Sequence, residues 1–248
     1  MPPAAPTCAV FLVKLLTLET LPPDRLGCKL VISVLVETMT QAAGPLRREG
    51  IRELPIVGGN LALDFANTVD DPYGSQPFDY VADYRGLVAW SQRIGTVSDR
   101  SAVALHHIAE DHPRQARATA RRAKDLRAAI NETFGALADG RSLDAGWQQL
   151  RPFVTTAIQH AGVTSSPPQP LLTWDLSDLE SPLWPVAEAA YRLLVGPETQ
   201  RLKRCAGCPW LFLDRSKNHS RRWCTMDICG TDEKIRRYVT KRADRRSR

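Results

Sequence analysis

Apolar residues recur at helical spacing through most of the chain. Leu61, Phe65 and Val69 stand four apart with Ala62 and Ala66 beside them, which predicts a helix opening after the Gly58-Gly59-Asn60 turn. Asp64, Asn67 and Thr68 fall on or near its other side. They read either as a solvated polar face or as a polar cluster aimed into a small-molecule pocket. From Asp79, the positions Tyr80, Tyr84, Leu87, Val88, Ser91 and Ile94 predict a second helix ending at Gly95. Ser98 is placed to cap a third, through Leu105 and Ile108. Pro113 opens a long fourth helix with the stripe Ala116, Ala120, Ala123, Leu126, Ile130, Phe134 and Leu137, and Gly140 stops it. Ser142 caps another around Trp147 and Leu150. Pro152 interrupts that pattern, so Phe153 to His160 is expected as a separate or kinked helix. Beyond the Pro-rich breaker at 165–170, Leu171 to Trp174 reads as a short strand. A last helix of the body spans about Pro182 to Leu194 and ends at Gly196-Pro197.

This pattern gives a mainly α protein, a helical bundle over residues 54–196 with one small β element. Residues 1–50 lack a sustained pattern and are read as a poorly ordered leader or upstream extension, with Met39 as a candidate start. At 248 residues the chain suits one or two domains. With 43% hydrophobic and 24% charged residues, wholesale disorder is excluded. No window reaches the 18 or so uncharged apolar residues of a membrane span.

Charge and cysteine change the picture at the C-terminal end. The net charge is +6, yet residues 201–248 hold 15 Lys and Arg against 5 Asp and Glu, while the first 200 residues hold 18 against 22. A slightly acidic body therefore carries a strongly basic end, which points to an anionic partner. Four of six cysteines fall in the same stretch, Cys205, Cys208, Cys224 and Cys229, spaced C-x2-C, fifteen residues, C-x4-C. Paired thiols at that spacing suit tetrahedral Zn²⁺ better than a disulfide framework and imply a reducing, cytoplasmic compartment. Gly207 eases the first knuckle. Trp210 to Leu213 reads as a strand, Ser216 to Asn218 as a turn and Arg221 to Trp223 as the returning strand. The last helix is expected to be capped by Thr231, with Ile235, Tyr238 and Val239 facing the zinc core. His219 is a spare ligand that the four cysteines make unnecessary. Four protein ligands leave no open coordination position, so the role of the metal is structural.

On the last helix Lys234, Arg237, Lys241, Arg245 and Arg248 recur at three and four, a cationic stripe. Arg221 and Arg222 add charge, with Arg204, Arg215 and Lys217 nearby. A basic stripe on a rigid module fits a phosphate backbone. In the body, His106, His107 and His112 cluster. His107 and Asp111 share a helix face, and an enzyme housed there would use them, against the plainer reading of an exposed helix end.

The segment from Arg201-Leu-Lys-Arg-Cys through Ser220-Arg-Arg-Trp-Cys-Thr-Met-Asp-Ile-Cys-Gly resembles the CGNR zinc finger, and Gly58-Gly-Asn-Leu-Ala-Leu-Asp-Phe-Ala-Asn-Thr resembles the start of the ABATE domain. The resemblance covers roughly residues 54–243. It implies a bacterial stress-induced transcriptional regulator with a helical N-terminal domain and a DNA-binding finger. Two departures stand out. Cys229-Gly230-Thr231-Asp232 replaces Cys-Gly-Asn-Arg, and the first knuckle is shorter than the C-x4-C of the family.

The combined expectation is a helical body over 54–196, a treble-clef-like α+β zinc finger over 201–243 and a basic tail over 244–248. Function is expected to be DNA-binding transcription regulation without enzymatic activity. The partners would be Zn²⁺ and duplex DNA, with no membrane, and the body would sense a small-molecule effector or form a homodimer. The alternatives are an RNA-binding or translation-associated zinc protein and an enzyme in the helical body.

Overall fold

The computed structural model describes residues 51–70, 77–165 and 170–246. The expectations for the leader 1–50, for most of the Pro-rich breaker at 165–170 and for the last two residues lie outside that range. Among the described residues seven α-helices dominate: α1 (Leu61–Ala66), α2 (Tyr84–Ile94), α3 (Asp99–Asp111), α4 (Pro113–Ala138), α5 (Asp144–Gln159), α6 (Trp184–Val195) and α7 (Thr231–Arg246). Three two-stranded antiparallel ribbons join them. They are β1 (Val69–Asp70) with β2 (Phe78–Asp79), β3 (Gly162–Thr164) with β4 (Leu171–Thr173), and β5 (Leu202–Arg204) with β6 (Leu211–Leu213).

Local chemistry sets most helix ends. The Asp83 carboxylate accepts from the Gly86 N–H to start α2, and Gly95 closes it at φ 85°, a left-handed value that costs glycine nothing. The Ser98 hydroxyl accepts from the Ser101 N–H to start α3. Pro113 opens α4, where the missing N–H would have had no helical partner. The predicted stripe of α4 is buried at Ala116, Ala120, Ala123, Leu126, Ile130 and Phe134. It packs against α5 and α1, and α6 covers α5 and α1 from the other side. Burying a side chain such as Leu126 or Phe134 contributes roughly 1.5–3 kcal/mol. The same core continues into Trp210, Leu211, Phe212 and Leu213, so the helical layer and the cysteine segment share one interior.

The structure differs from the sequence reading at several points. Helix α1 stops at Ala66, and Val69 starts a strand. Helix α2 begins at Tyr84, because Asp79 pairs in β2 and its carboxylate turns back to the Val81 N–H. Pro152 does not split off a separate helix and lies inside α5. It is exposed, as is Gln148, whose carbonyl loses its helical donor to the proline. The strand opposite β6 is Leu202–Arg204, which precedes the first knuckle. Arg221 to Trp223 stays irregular, held by side-chain bonds.

Candidate metal centre and basic surface

The β5–β6 ribbon presents the first knuckle at its tip, where the Cys205 N–H donates to the Trp210 carbonyl. The Ala206 N–H donates to the Arg222 carbonyl and draws in the segment that carries the second pair. A single π turn, Met226–Gly230, holds Cys229 and leads into α7. Thr225 caps this turn by accepting from the Ile228 N–H. Thr231, expected as the cap, is the first helical residue, and its hydroxyl donates to the Met226 carbonyl. Gly207 leaves room for the metal side of the site: a Cβ there would lie 3.2 Å from Cys229 Cβ and 3.6 Å from its sulfur.

The four sulfurs of Cys205, Cys208, Cys224 and Cys229 lie within 4.8 Å of one another, with Cys208–Cys224 at 3.6 Å and Cys224–Cys229 at 3.5 Å. Tetrahedral zinc with bonds of about 2.3 Å needs sulfurs about 3.8 Å apart, so the cluster fits the ion. The Cys224 and Gly207 N–H groups donate to Cys205 Sγ at 3.2 and 3.4 Å and favour thiolate there. The Cys208 and Cys224 thiols, and then these N–H groups, hold Cys205 far below the usual thiol range. Hydrogen bonding toward Cys205 pushes Cys208 and Cys224 up, and burial pushes Cys229 up. Four thiolates cannot share this space unaided, and a dication resolves the conflict. His219, exposed and at φ 48°, takes no part.

The expected nucleic-acid residues separate into two groups. Arg204, Arg215 and Arg221 each bond to groups of the protein itself. Arg204 makes a two-pronged pair with Asp139 at 2.9 and 3.1 Å. Arg215 bonds Glu198 at 2.9 Å and the Gly59 carbonyl at 3.0 Å. The Arg221 guanidinium lies 4.2 Å above the Phe212 ring and donates to the Trp223, Cys224 and Val57 carbonyls. Arg204 and Arg221 build the module; Arg215 bonds through Nη2 alone, and its side chain stays 59% exposed. Lys217, Arg222, Lys234, Arg237 and Lys241 remain on the exterior. Arg222 rests 5.0 Å from the Trp223 ring centroid, and Arg237 pairs with Glu233 at 2.8 Å on the surface. That Arg237 bond, with Arg236 and Arg222 nearby, holds Glu233 below its usual range. Arg245 belongs to α7 by its backbone. Ile235, Tyr238 and Val239 are 57%, 66% and 59% exposed and do not face the zinc core as expected.

Asp64, Asn67 and Thr68 are buried, and each bonds to groups of the protein itself. Asp64 Oδ1 accepts from the Gly58 N–H at 2.7 Å; burial raises its pKa, and the Gly58 and Val57 N–H groups oppose the rise. Asn67 accepts from the Leu211 N–H at 3.0 Å and donates to the Leu211 carbonyl at 2.8 Å. Thr68 donates to the Phe65 carbonyl and accepts from Arg127. The Gly58 carbonyl accepts from Leu213 and the Val69 carbonyl from the Trp210 indole. Helix α1 and its flanks thus fasten the body to β6.

Two ion pairs, one with a buried carboxylate and one half-buried, escaped the sequence reading. Burial would raise the Asp214 pKa, but Lys203 at 2.6 Å, Ser216 and the Arg221 N–H overcome it and hold the carboxyl far below its usual range. Lys203 also donates to the His219 and Arg221 carbonyls, so this pair shapes the loop between the knuckles. The other is Asp79 with Arg127, bonded at 2.6 and 2.7 Å. The Lys-x10-Asp spacing is no recognised signal, and only the ribbon register brings Lys203 to Asp214. In the body, His107 is exposed and lies 3.9 Å from Glu110, a surface pair without an enclosing site.

A family model described as "ABATE: Putative stress-induced transcription regulator" matches residues 59–197, and one for the CGNR zinc finger matches residues 201–242. No curated protein matches the chain. Among the described residues no helix is long and apolar enough to cross a membrane.

Proposed function

The chain belongs to the ABATE family, with a CGNR zinc finger following the family domain, and on that premise we propose that it is a zinc-dependent regulator that binds duplex DNA. The carrying observation is a set of exterior cations, Lys217, Arg222, Lys234, Arg237 and Lys241, attached to a segment whose shape a four-thiolate centre fixes. Cys205, Cys208, Cys224 and Cys229 would hold the ion and fill its coordination sphere, so it supplies shape and no chemistry. Arg245 extends the stripe. The helical body, residues 54–196, positions the module over 201–243 through α1. Family descriptions that name a regulator and a zinc finger support a role other than catalysis. Closely spaced thiols without disulfides support a cytoplasmic place of action.

Salt dependence tests this reading. Each phosphate neutralised contributes about 0.9 to the slope of log affinity against log salt, so five exterior cations predict roughly −4 to −5. The zinc-loaded full chain should show a slope of that size on duplex DNA, falling by about one unit in Lys241→Gln. A slope near zero overturns the proposal.

A further inference from the structure

The long helix α4 carries a second row of cations that the C-terminal charge excess conceals. Arg114, Arg117, Arg121 and Lys124 are all exposed and follow one another at spacings of three, four and three, so they share one side of the helix. The opposite side is the buried stripe from Ala116 to Phe134. Residues 113–128 hold six Lys and Arg against one Asp, within a body that is net acidic. Two of the six, Arg122 and Arg127, pair with Glu180 and Asp79 off this row, and Lys124 reaches Asp79 only at 4.0 Å. Among the described residues Arg114, Arg117 and Arg121 have no carboxylate partner. Asp125 is the exposed carboxylate beside the row, and Glu110 and Asp111 precede it at the α3–α4 corner.

We infer that this row is a second phosphate-contacting surface for duplex DNA, which extends the footprint of the zinc module along the body. The inference rests on the DNA reading above. Its physical basis is placement. Helix α4 ends at the zinc module, where Asp139 grips Arg204 and Gly135 lies against the same guanidinium. At about 1.5 Å per residue, Lys124 lies about 22 Å and Arg114 about 37 Å along the helix from Asp139. That reach is about one turn of duplex, about 34–36 Å. Unpaired guanidinium groups suit phosphate oxygens, which they can bind through two parallel N–H bonds. A lipid surface is a poorer match, because the apolar side of α4 is buried and nothing remains to insert.

The test uses the full-length zinc-loaded chain and mixed-sequence duplexes of about one and about three helical turns. Arg114→Gln, Arg117→Gln and Arg121→Gln combined should reduce the slope magnitude by up to about 2.7 on the longer duplex. For each lost contact, the fall in affinity between about 50 and 200 mM salt should shrink three- to fourfold. The wild-type advantage of the longer duplex should disappear in this variant. An unchanged melting temperature, expected for exposed positions, shows that the fold survives. An unchanged slope in the triple variant, with the Lys241→Gln effect intact, overturns this inference and leaves the DNA reading standing. No salt-dependent binding by the wild type overturns both. Selective loss of structured-RNA binding, with duplex DNA binding unaltered, also overturns the assignment of this row.

Discussion

The side-chain amide of Asn67 pairs with both backbone groups of Leu211, 144 residues further along, as a neighbouring strand would. A residue that reads in sequence as polar surface or ligand contact is therefore the clasp between the body and the cysteine segment. Asn67→Ala leaves a buried N–H and a buried carbonyl without partners. At roughly 1–3 kcal/mol for each orphaned group, the loss should be about 2–6 kcal/mol. Urea unfolding of zinc-loaded protein measures it. A change below about 0.5 kcal/mol, the ordinary scatter of a surface substitution, would show that the clasp carries no weight.

Zinc removal should be felt in the helices. Because Trp210 to Leu213 complete the interior of the body, chelation or Cys224→Ser should lower the melting transition of the helical layer as well as that of the finger. Free zinc at about 1,000 times its dissociation constant stabilises the folded chain by about 4 kcal/mol. Far-ultraviolet circular dichroism dominated by α2 to α6 reports the effect. A body that melts at the same temperature with and without metal would mean that the two parts fold independently.

Arg221 and Lys241 should separate stability from binding. Arg221→Gln removes a guanidinium stacked on Phe212 and bonded to three carbonyls, so stability should fall while the DNA salt slope holds. Lys241→Gln should do the reverse. Equal slope changes in the two variants would contradict the division of the basic residues into internal and exterior groups.

The Asp79–Arg127 pair gives an acid-dependent contribution. Burial acts to raise the Asp79 pKa, but Arg127 and the Val81 N–H outweigh it, and the folded value lies below the usual carboxylate range. A depressed folded pKa means the stabilisation is present above the unfolded value of about 3.9 and is lost as pH falls through the folded one. The stability difference between wild type and Asp79→Asn should therefore be constant near neutrality and shrink below about pH 4. A difference that grows on acidification would reverse the assignment. The metal centre is common to both proteins, so its own acid sensitivity cancels.

Asp232→Arg tests the departure from the family motif. Asp232 stands in the exposed first turn of α7 where the motif places a cation. Restoring that cation should tighten DNA binding and steepen the salt slope by about 0.9. Weaker binding in the variant would place the first turn of α7 away from the phosphates.

The features that short-range rules govern were legible in the sequence. The stripe of α4, the Ser98 cap, the Gly95 and Gly140 stops and the four-cysteine spacing all depend on residues within a few positions of one another. What was hidden depends on distant partners. Arg221 and Lys241 are both exterior cations until Phe212 and the Trp223, Cys224 and Val57 carbonyls are in place. Asp64 in α1 and Asn67 and Thr68 just past its end read as a polar side until Gly58, Leu211 of β6 and Arg127 are in place.

The clasp at Asn67 has a second consequence. Leu211, Phe212 and Leu213 are all buried, yet β6 has only one strand beside it. An apolar strand with a bare backbone edge is a template for pairing with another chain. Here Phe212 faces Lys203 of β5, while both outward groups of Leu211 are taken by the Asn67 amide, the Leu213 N–H by the Gly58 carbonyl and the Leu213 carbonyl by the Arg215 N–H. Losing Asn67 would therefore open a sticky edge as well as weaken the fold, and clumping between molecules, rising with concentration, would accompany the drop in stability.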